Sequence, residues 1–426
     1  MPATYDAVQH ESILSDAFLR QLMAVGQADI VVGLPTLDNA ATIVDVVRAI
    51  HLCFAHDFPR LRTVMINSDG GSIDGTPELV RAATFTEADI VQTSHSLRTL
   101  HRVVAPYHGL PGKLTALRTI FAAAELTRAK VLAIVDPNGP ATTSDRVGEL
   151  IAPVASAEVE FLTPRYRRHP RDGVLVTQLV RPAVRALYSV GLDEPLGAEF
   201  SCSGRFASHC LEQDIWNHEI GGFAIDLWLR TEAVARRVSV GQIWRPSSTG
   251  AGARTTLREA VQQVVLSLVA SLRAHDAYWT TADGITELRT WGHDAQTPSH
   301  PPSWDHAALA EQARHDLLEI RALLEGVLEP PMLARVIDDV SNPTFRVDDE
   351  LWVRIVYAFA AAAHRGSTSI EHLAGMFVPL YLWRASAFMA DTADAADADV
   401  QARLDSLCET FQRLKPTLVE RWSAGA

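Results

Sequence analysis

The chain has 426 residues, 47% hydrophobic and 21% charged, with a net charge of −13. These proportions are those of an ordinary folded protein and exclude a disordered, collagen-like or disulfide-scaffold chain; at roughly 150 residues per domain the length accommodates two or three domains. With 38 basic against 51 acidic side chains the surface does not suit nucleic acid, whose binders cluster cations against several phosphates, although a local basic pocket for a small anion stays open.

Residues 1–28 read as an N-terminal extension. Met1–Ile13 holds Asp6 and Glu11 and has no basic segment followed by an apolar run, so no secretory signal is expected. The stretches Val264–Leu272 and Val356–Ala363 reach about half of the ~18 residues a membrane span needs. The expectation is a cytoplasmic protein without a membrane span. Cys53, Cys202, Cys210 and Cys408 form no CxxC and no short-spaced Cys/His set, so they read as reduced, buried thiols and not as zinc ligands.

From residue 29 to 253 short apolar runs alternate with helical periodicity, the pattern of a mostly parallel sheet covered by helices. Strands are expected at Asp29–Leu34, Thr63–Ile66, Asp89–Val91, Val131–Val135 and Glu158–Leu162. Ile43, Val46, Val47 and Ile50 mark a helix over Ala40–Phe54, and Pro77 opens another at a position that tolerates proline. The first four strands run into polar or Gly/Pro-containing loops, among them Pro35–Asn39, Asn67–Thr76 and Asp136–Pro140. Open α/β sheets hold their ligands at such strand ends, although any one of these loops reads equally as a plain turn.

From residue 254 to 426 the texture becomes helical. Helices are expected over Leu257–Leu272, His306–Leu328, Asp349–His364, Ile370–Met389 and Val400–Leu414. Pro298–Pro302 and Pro330–Pro331 punctuate them, and the acidic Ala390–Asp399 reads as a loop or fraying helix end. The fold class is therefore α/β, a sheet domain followed by an all-α C-terminal domain. Its apolar helices could cover a cleft or bury a homodimer interface.

Chemistry concentrates in a few places. In Asp136-Pro137-Asn138 a strand-terminal carboxylate can hold a ribose hydroxyl or a metal-bound group. Asn138 adds a carbonyl oxygen without charge, half of the pair that would suit Mg²⁺ or Mn²⁺. Lys113 follows Pro111-Gly112 at the start of a helix, where an ammonium beside free backbone N–H groups would suit an anion, or else reads as a solvated surface lysine. Arg165–Arg171 contains four arginines and His169, a clamp for a carboxylate or phosphate, or else a solvated basic loop or a set of internal salt bridges. Asp226, after Gly221–Ile225 and near Asp214, His218 and Glu219, offers a carboxylate or a helix cap. There is no GxGxxG, Walker loop, GxSxG or HExxH motif.

Taken in order, GLPTLDNA, INSDGGSIDGTPELV, PGKLTALR, VDPN, PRYRRHPRDG, RPAVRALY, EPLGAEF, FAIDLWL, LWVRIVYAFAAAAH and VPLYLWRASAFM resemble the bacterial nucleotide-sugar glycosyltransferases that include mannosylglycerate synthase and glucosyl-3-phosphoglycerate synthase. The resemblance spans residues 29–390. It implies a Rossmann-like glycosyltransferase A-type domain at 29–253, a helical domain at 254–426, and a retaining hexosyltransferase acting between a nucleoside-diphosphate sugar and a small, anionic, glycerate-like acceptor. By position, Pro35, Thr36, Asp69, Lys113 and Asp136 would bind the nucleotide. Glu199, Asp226 and Lys113 would be catalytic, and Arg165, His169, Arg171, Thr177 and Gly197 would bind the acceptor. Two departures stand out: the family's Asp-x-Asp is Asp-Pro-Asn here, and its metal-binding histidine is replaced within Arg245–Thr249. The resemblance thus implies a weakened Mg²⁺ or Mn²⁺ site at Asp136 and Asn138. The alternatives are a member that binds nucleotide sugars without turnover, or an enzyme of specialised metabolism using another activated phosphate donor.

Overall fold

The computed structural model describes residues 16–83, 89–94, 113–138, 142–216, 225–246, 256–293, 305–342 and 347–425. Pro111, Gly112, Gly139, Pro140, His218, Glu219, Gly221–Ala224 and Ser247–Thr249, named above, lie outside them. The chain divides into two compact units. The first comprises Met1–Arg98, Gly112–Ile151 and Cys202–Gln213; the second comprises Thr99–Pro111, Ala152–Ser201 and Asp214–Ala426.

In the first unit β1 (Ile30–Thr36), β2 (Thr63–Asp69), β3 (Asp89–Ser94) and β4 (Val131–Ile134) form a parallel sheet. β1 pairs with β2 on one side and β4 on the other, and β2 with β3, giving the order 3-2-1-4. Every residue of β1 is buried, as expected of a parallel strand covered on both faces. The chain winds outward from β1 to β3 and then returns to the far side of β1. The winding direction reverses between β1 and β4, and a reversal of this kind opens a crevice at the carboxyl ends of the two strands.

The helix expected after β1 spans Ile43–Asp57 and buries Ile43, Val46, Val47, Ile50, Cys53 and Phe54, the spacing of one helical face. A second helix, Lys113–Leu126, runs antiparallel to the strands. At its lower end Ala28 N–H bonds the Thr127 carbonyl at 2.9 Å. At mid-height a Cβ on Gly33 would come within 2.5 Å of Ile120 Cγ2, so glycine is what lets this helix lie close on β1. Lys113, seven residues before Ile120 and about 10 Å further along the axis, therefore stands at the carboxyl end of the sheet.

In the second unit the strands are β5 (Phe161–Arg167), β6 (Val190–Gly191), β7 (Phe200–Ser203, whose last two residues belong to the first unit), β8 (Val240–Pro246), β9 (Thr286–Glu287) and β10 (Thr290–Trp291). β5 pairs with β8, β8 with β10 and β6 with β9, all parallel. β5 begins later than the expected Glu158–Leu162. A turn with φ of 59° at Ala157 precedes it, and the N–H groups of Glu160 and Phe161 both reach the Ser239 carbonyl. The strand then runs to Arg167, so Arg165 and Arg167 stand on a strand and not in a loop.

From Leu257 onward the regular elements among the described residues are helices, apart from the two-residue β9 and β10. Leu257–Ala274 opens on a complete capping box between Thr256 and Glu259. The single helix expected over His306–Leu328 is two, His306–Glu319 and Arg321–Leu324, broken at Ile320. The expected Ala390–Asp399 loop shrinks to four residues, because one helix runs to Thr392 and the next starts at Asp397. Ile370–Thr392 is long and apolar enough by composition to cross a membrane, a candidate the shorter windows above overlooked. Yet 83% of its most apolar window is buried within the protein. Arg384 in its middle bonds Gln178 Oε1, Val347 O and Asp349 Oδ1, so the helix is a core element with its charge internally satisfied.

Candidate functional site

The first unit gathers its polar residues where β1, β2 and β4 end. Thr36, the last residue of β1, donates from Oγ1 toward Asn67 Oδ1 (3.1 Å) and Asp69 Oδ1 (3.0 Å). Asp69 also accepts from Gly71 N (2.9 Å), Ser72 N (2.8 Å) and Ser72 Oγ (2.5 Å). A carboxylate has about four acceptor positions, and four hydrogen bonds from its own chain reach this one, which is 1% exposed. Asp69 therefore shapes the loop from beneath. Pro35 and Thr36 are buried as well, so the three residues expected to line a nucleoside site lie beneath the strand-end loops.

The strand-end loops are tied together. Asp38, at φ 52°, bonds Ser72 Oγ through its N–H and accepts from Ile73 N. Asn39 N–H bonds Thr76 Oγ1, and Ala40 N–H bonds Asp74 Oδ2, both at 2.8 Å. Burial acts to raise the Asp74 pKa, but hydrogen bonds from Thr76 and Ala40 outweigh it and hold the carboxyl below its ordinary value. Asp74 is a turn residue, as its plain reading had it.

Across the β1/β4 crevice Asn39 Nδ2 donates to Asn138 Oδ1 at 2.6 Å and Thr42 Oγ1 donates to Pro137 O at 2.6 Å. Asp136 Oδ1 accepts from Asn138 N at 2.9 Å. Lys113, 9% exposed, heads its helix at the same end of the sheet. The structure thus brings Thr36, Asp69, Lys113, Asp136 and Asn138 to one rim. Among the described residues no three His, Cys, Asp or Glu side chains gather in a way that could hold a metal ion. The one neutral oxygen that Asn138 would lend to a cation accepts a hydrogen bond from Asn39.

In the second unit Asp226 is 2% exposed and lies in the first turn of the Ile225–Ala235 helix. One turn on, the fully buried Arg230 reaches four acceptors: Thr163 Oγ1 (2.7 Å), Asp226 O (2.8 Å), Gly197 O (2.7 Å) and Glu199 O (3.1 Å). It thereby fixes the Gly197–Glu199 segment against β5 and against the helix that carries Asp226. Glu199 Oε1 pairs with Arg245 Nε at 2.6 Å, both groups nearly buried.

The arginine cluster is internally matched. Arg165 pairs with Asp193 at 2.9 Å and lies 4.5 Å over the ring of Trp244, its register partner on β8. Arg168 pairs with Glu194. Arg171 spends its fork on Thr392 O, Ala395 O and Asp397, bracing the short connection between the last two helices. His169 accepts from Arg171 N at Nδ1 and faces Asp397 at 3.4 Å from Nε2. Arg165, Arg168 and Arg171 each form a salt bridge within the chain. Thr177 lies in a π-helical turn, Val176–Val180, with its hydroxyl buried and without a hydrogen-bond partner among the described residues.

The sequence reading did not single out Asn39, Thr42 or Arg230. Arg230 did leave a signal, a guanidinium directly after the apolar Leu227–Leu229; Asn39 and Thr42 left none, since their partners lie 99 and 95 residues away.

Fold and rim together define the class of this molecule: an open parallel α/β sheet with a switch-point crevice, joined in sequence to a helical region. No family model matches the sequence, and no curated protein matches it. Among solved structures the chain is similar to glucosyl-3-phosphoglycerate synthase of Mycobacterium tuberculosis, at 21% identity and a TM-score of 0.42, over 61% of this chain and 85% of that one. It is also similar to that enzyme in complex with Mn²⁺, uridine diphosphate and glucosyl-3-phosphoglycerate, at 20% identity and a TM-score of 0.41, over 63% and 87%. A mycobacterial protein aligns at 22% identity and a TM-score of 0.43, over 61% and 78%.

Proposed function

We propose that the chain is a glycosyltransferase of the A-type fold, moving a hexose from a nucleoside diphosphate to a small anionic acceptor of the glycerate kind. The observation that carries the reading is the rim at the β1/β4 switch point, where three strand-end loops and the head of the Lys113 helix converge. Switch-point crevices in sheets of this order take nucleotides, and a helix N-terminus bearing a lysine suits an anion.

In this reading the nucleoside rests on the Pro35–Thr42 loop, held in shape by Thr36 and Asp69, with Asp136 toward the ribose and Lys113 toward the diphosphate. Departure of the nucleoside diphosphate develops negative charge on the oxygen that leaves the sugar. A fixed ammonium and aligned N–H groups stabilise that charge more than they stabilise the intact donor, which is the condition for catalysis. The sugar-orienting roles of Glu199 and Asp226 and the acceptor roles of Arg165, His169, Arg171, Thr177 and Gly197 are part of the proposal as the resemblance gives them. Arg230 joins them as a positioning residue for Gly197 and Glu199.

The test is a panel of UDP- and GDP-sugars with glycerate and 3-phosphoglycerate, read as nucleotide release and product mass. Release that requires both substrates is expected. Lys113→Met should weaken UDP or GDP binding by about tenfold to a hundredfold, the worth of a charge-assisted contact. Absence of any donor binding would remove the proposal. A second reading, a nucleotide-sugar binding protein without turnover, is favoured by the internal engagement of Asn138; binding without release in the same panel would select it.

A further inference from the structure

The orientation of the Asn138 side chain follows from its neighbours. Asn39, 3% exposed, accepts the Leu37 N–H at Oδ1 (2.8 Å), so its other terminus is the NH₂ group. That NH₂ donates to Asn138 at 2.6 Å, which makes the receiving atom of Asn138 its carbonyl oxygen. The two ends of a planar amide diverge by about 120°, so the Asn138 NH₂ points away from Asn39, and Asn138 is an exposed residue at the end of β4. The backbone N–H of Asn138 bonds Asp136 Oδ1, which holds the side chain's base in place. The rim therefore presents a donor where a divalent cation would need an acceptor, and the donor set does not fit Mg²⁺ or Mn²⁺.

We propose that this rim binds a nucleoside diphosphate without a divalent cation, the Asn138 amide donating a hydrogen bond to a diphosphate oxygen where a carboxylate-bound metal would otherwise lie. The inference rests on the nucleotide reading of the same crevice. It has a sharp consequence for Asn138→Asp. The carboxylate keeps an oxygen for Asn39, so the loop contact survives, but it replaces an outward donor with a negative charge. The variant should repel a bare diphosphate and accept one that arrives with a cation.

The experiment is calorimetric titration of the full chain with UDP and with GDP, in EDTA and in excess Mn²⁺, for the wild-type and Asn138→Asp proteins. The wild-type protein is expected to bind one nucleotide with dissociation constants in the two conditions within about threefold of each other, under 1 kcal/mol. Asn138→Asp is expected to bind at least about tenfold more weakly in EDTA, as for loss of a charge-assisted bond, and to recover with Mn²⁺. Wild-type binding that EDTA abolishes would overturn the inference while leaving the nucleotide reading intact. An Asn138→Asp affinity unchanged in EDTA would remove the role of the amide. Failure of both nucleotides in both conditions would overturn the nucleotide reading and this inference with it. The wild-type comparison needs no variant, so it decides the point even if Asn138→Asp fails to fold.

Discussion

Arg230 sits at 0% exposure with four chain oxygens around its guanidinium. A buried cation is tolerated only when its donors are met, and here the acceptors belong to three different segments. Arg230→Met should cost about 3 kcal/mol or more, since each stranded buried acceptor costs ~1–3 kcal/mol. Arg230→Lys should recover only part of this, because a compact ammonium cannot span the fork. Urea denaturation of both variants measures it; a loss under about 1 kcal/mol for Arg230→Met would mean that the segment holds itself. Asp69 works by the same logic in the first unit, a carboxylate used up in building a loop. Its chemical character was legible in the sequence. That its oxygens face inward was not, because hydrogen bonds to Thr36 and Ser72 exist only once two strands lie side by side.

Among the elements, β1 and the Lys113–Leu126 helix show how closely sequence and contact must agree. Gly33 reads as an unremarkable residue in an apolar run, yet its missing Cβ sets the distance to Ile120 and Ile134. Gly33→Ala should destabilise the fold by about 1–3 kcal/mol through overpacking, seen as a lower melting temperature. An unchanged melting temperature would mean that Ile120 simply rotates aside. Helix existence was largely legible because the apolar spacing is local, but extent less so: the helix expected over Val400–Leu414 runs from Asp397 to Ala424. The start of β5 was not, because a carbonyl at Ser239 and a turn at Ala157 fix it. The break at Ile320 likewise escaped the pattern, which stays helical on both sides.

For the molecule as a whole, stability should carry a recognisable pH signature from Lys415. Its ammonium donates to the Leu187 and Ala282 carbonyls, and burial, opposed in part by Asp283, lowers its pKa to about 8. An unfolded lysine keeps its proton to about 10.4. Between those values the unfolded chain binds the proton and the folded chain does not, so this group makes stability rise with pH across that window and weakens the fold below it. Lys415→Met should remove that slope: urea midpoints of wild-type and variant proteins, compared at pH 7.5 and 9.5 (about the middle of the window), should change differently. Parallel changes would contradict the assignment.

The sequence by itself determined the two textures of the chain, the parallel α/β character of its first part, most of its helices and the residues gathered on one rim. All of these follow from the spacing of apolar residues and from the chemistry of short segments. Only the tertiary structure decided the strand order that opens a crevice between β1 and β4, the commitment of Arg171 to the chain's own carbonyls, and the way Asn138 faces. Each depends on a partner tens to hundreds of residues distant, and directional bonds of that kind are set by where folding brings two segments together. A local pattern records which groups are present; only the approach of their partners determines which atoms remain to meet a ligand.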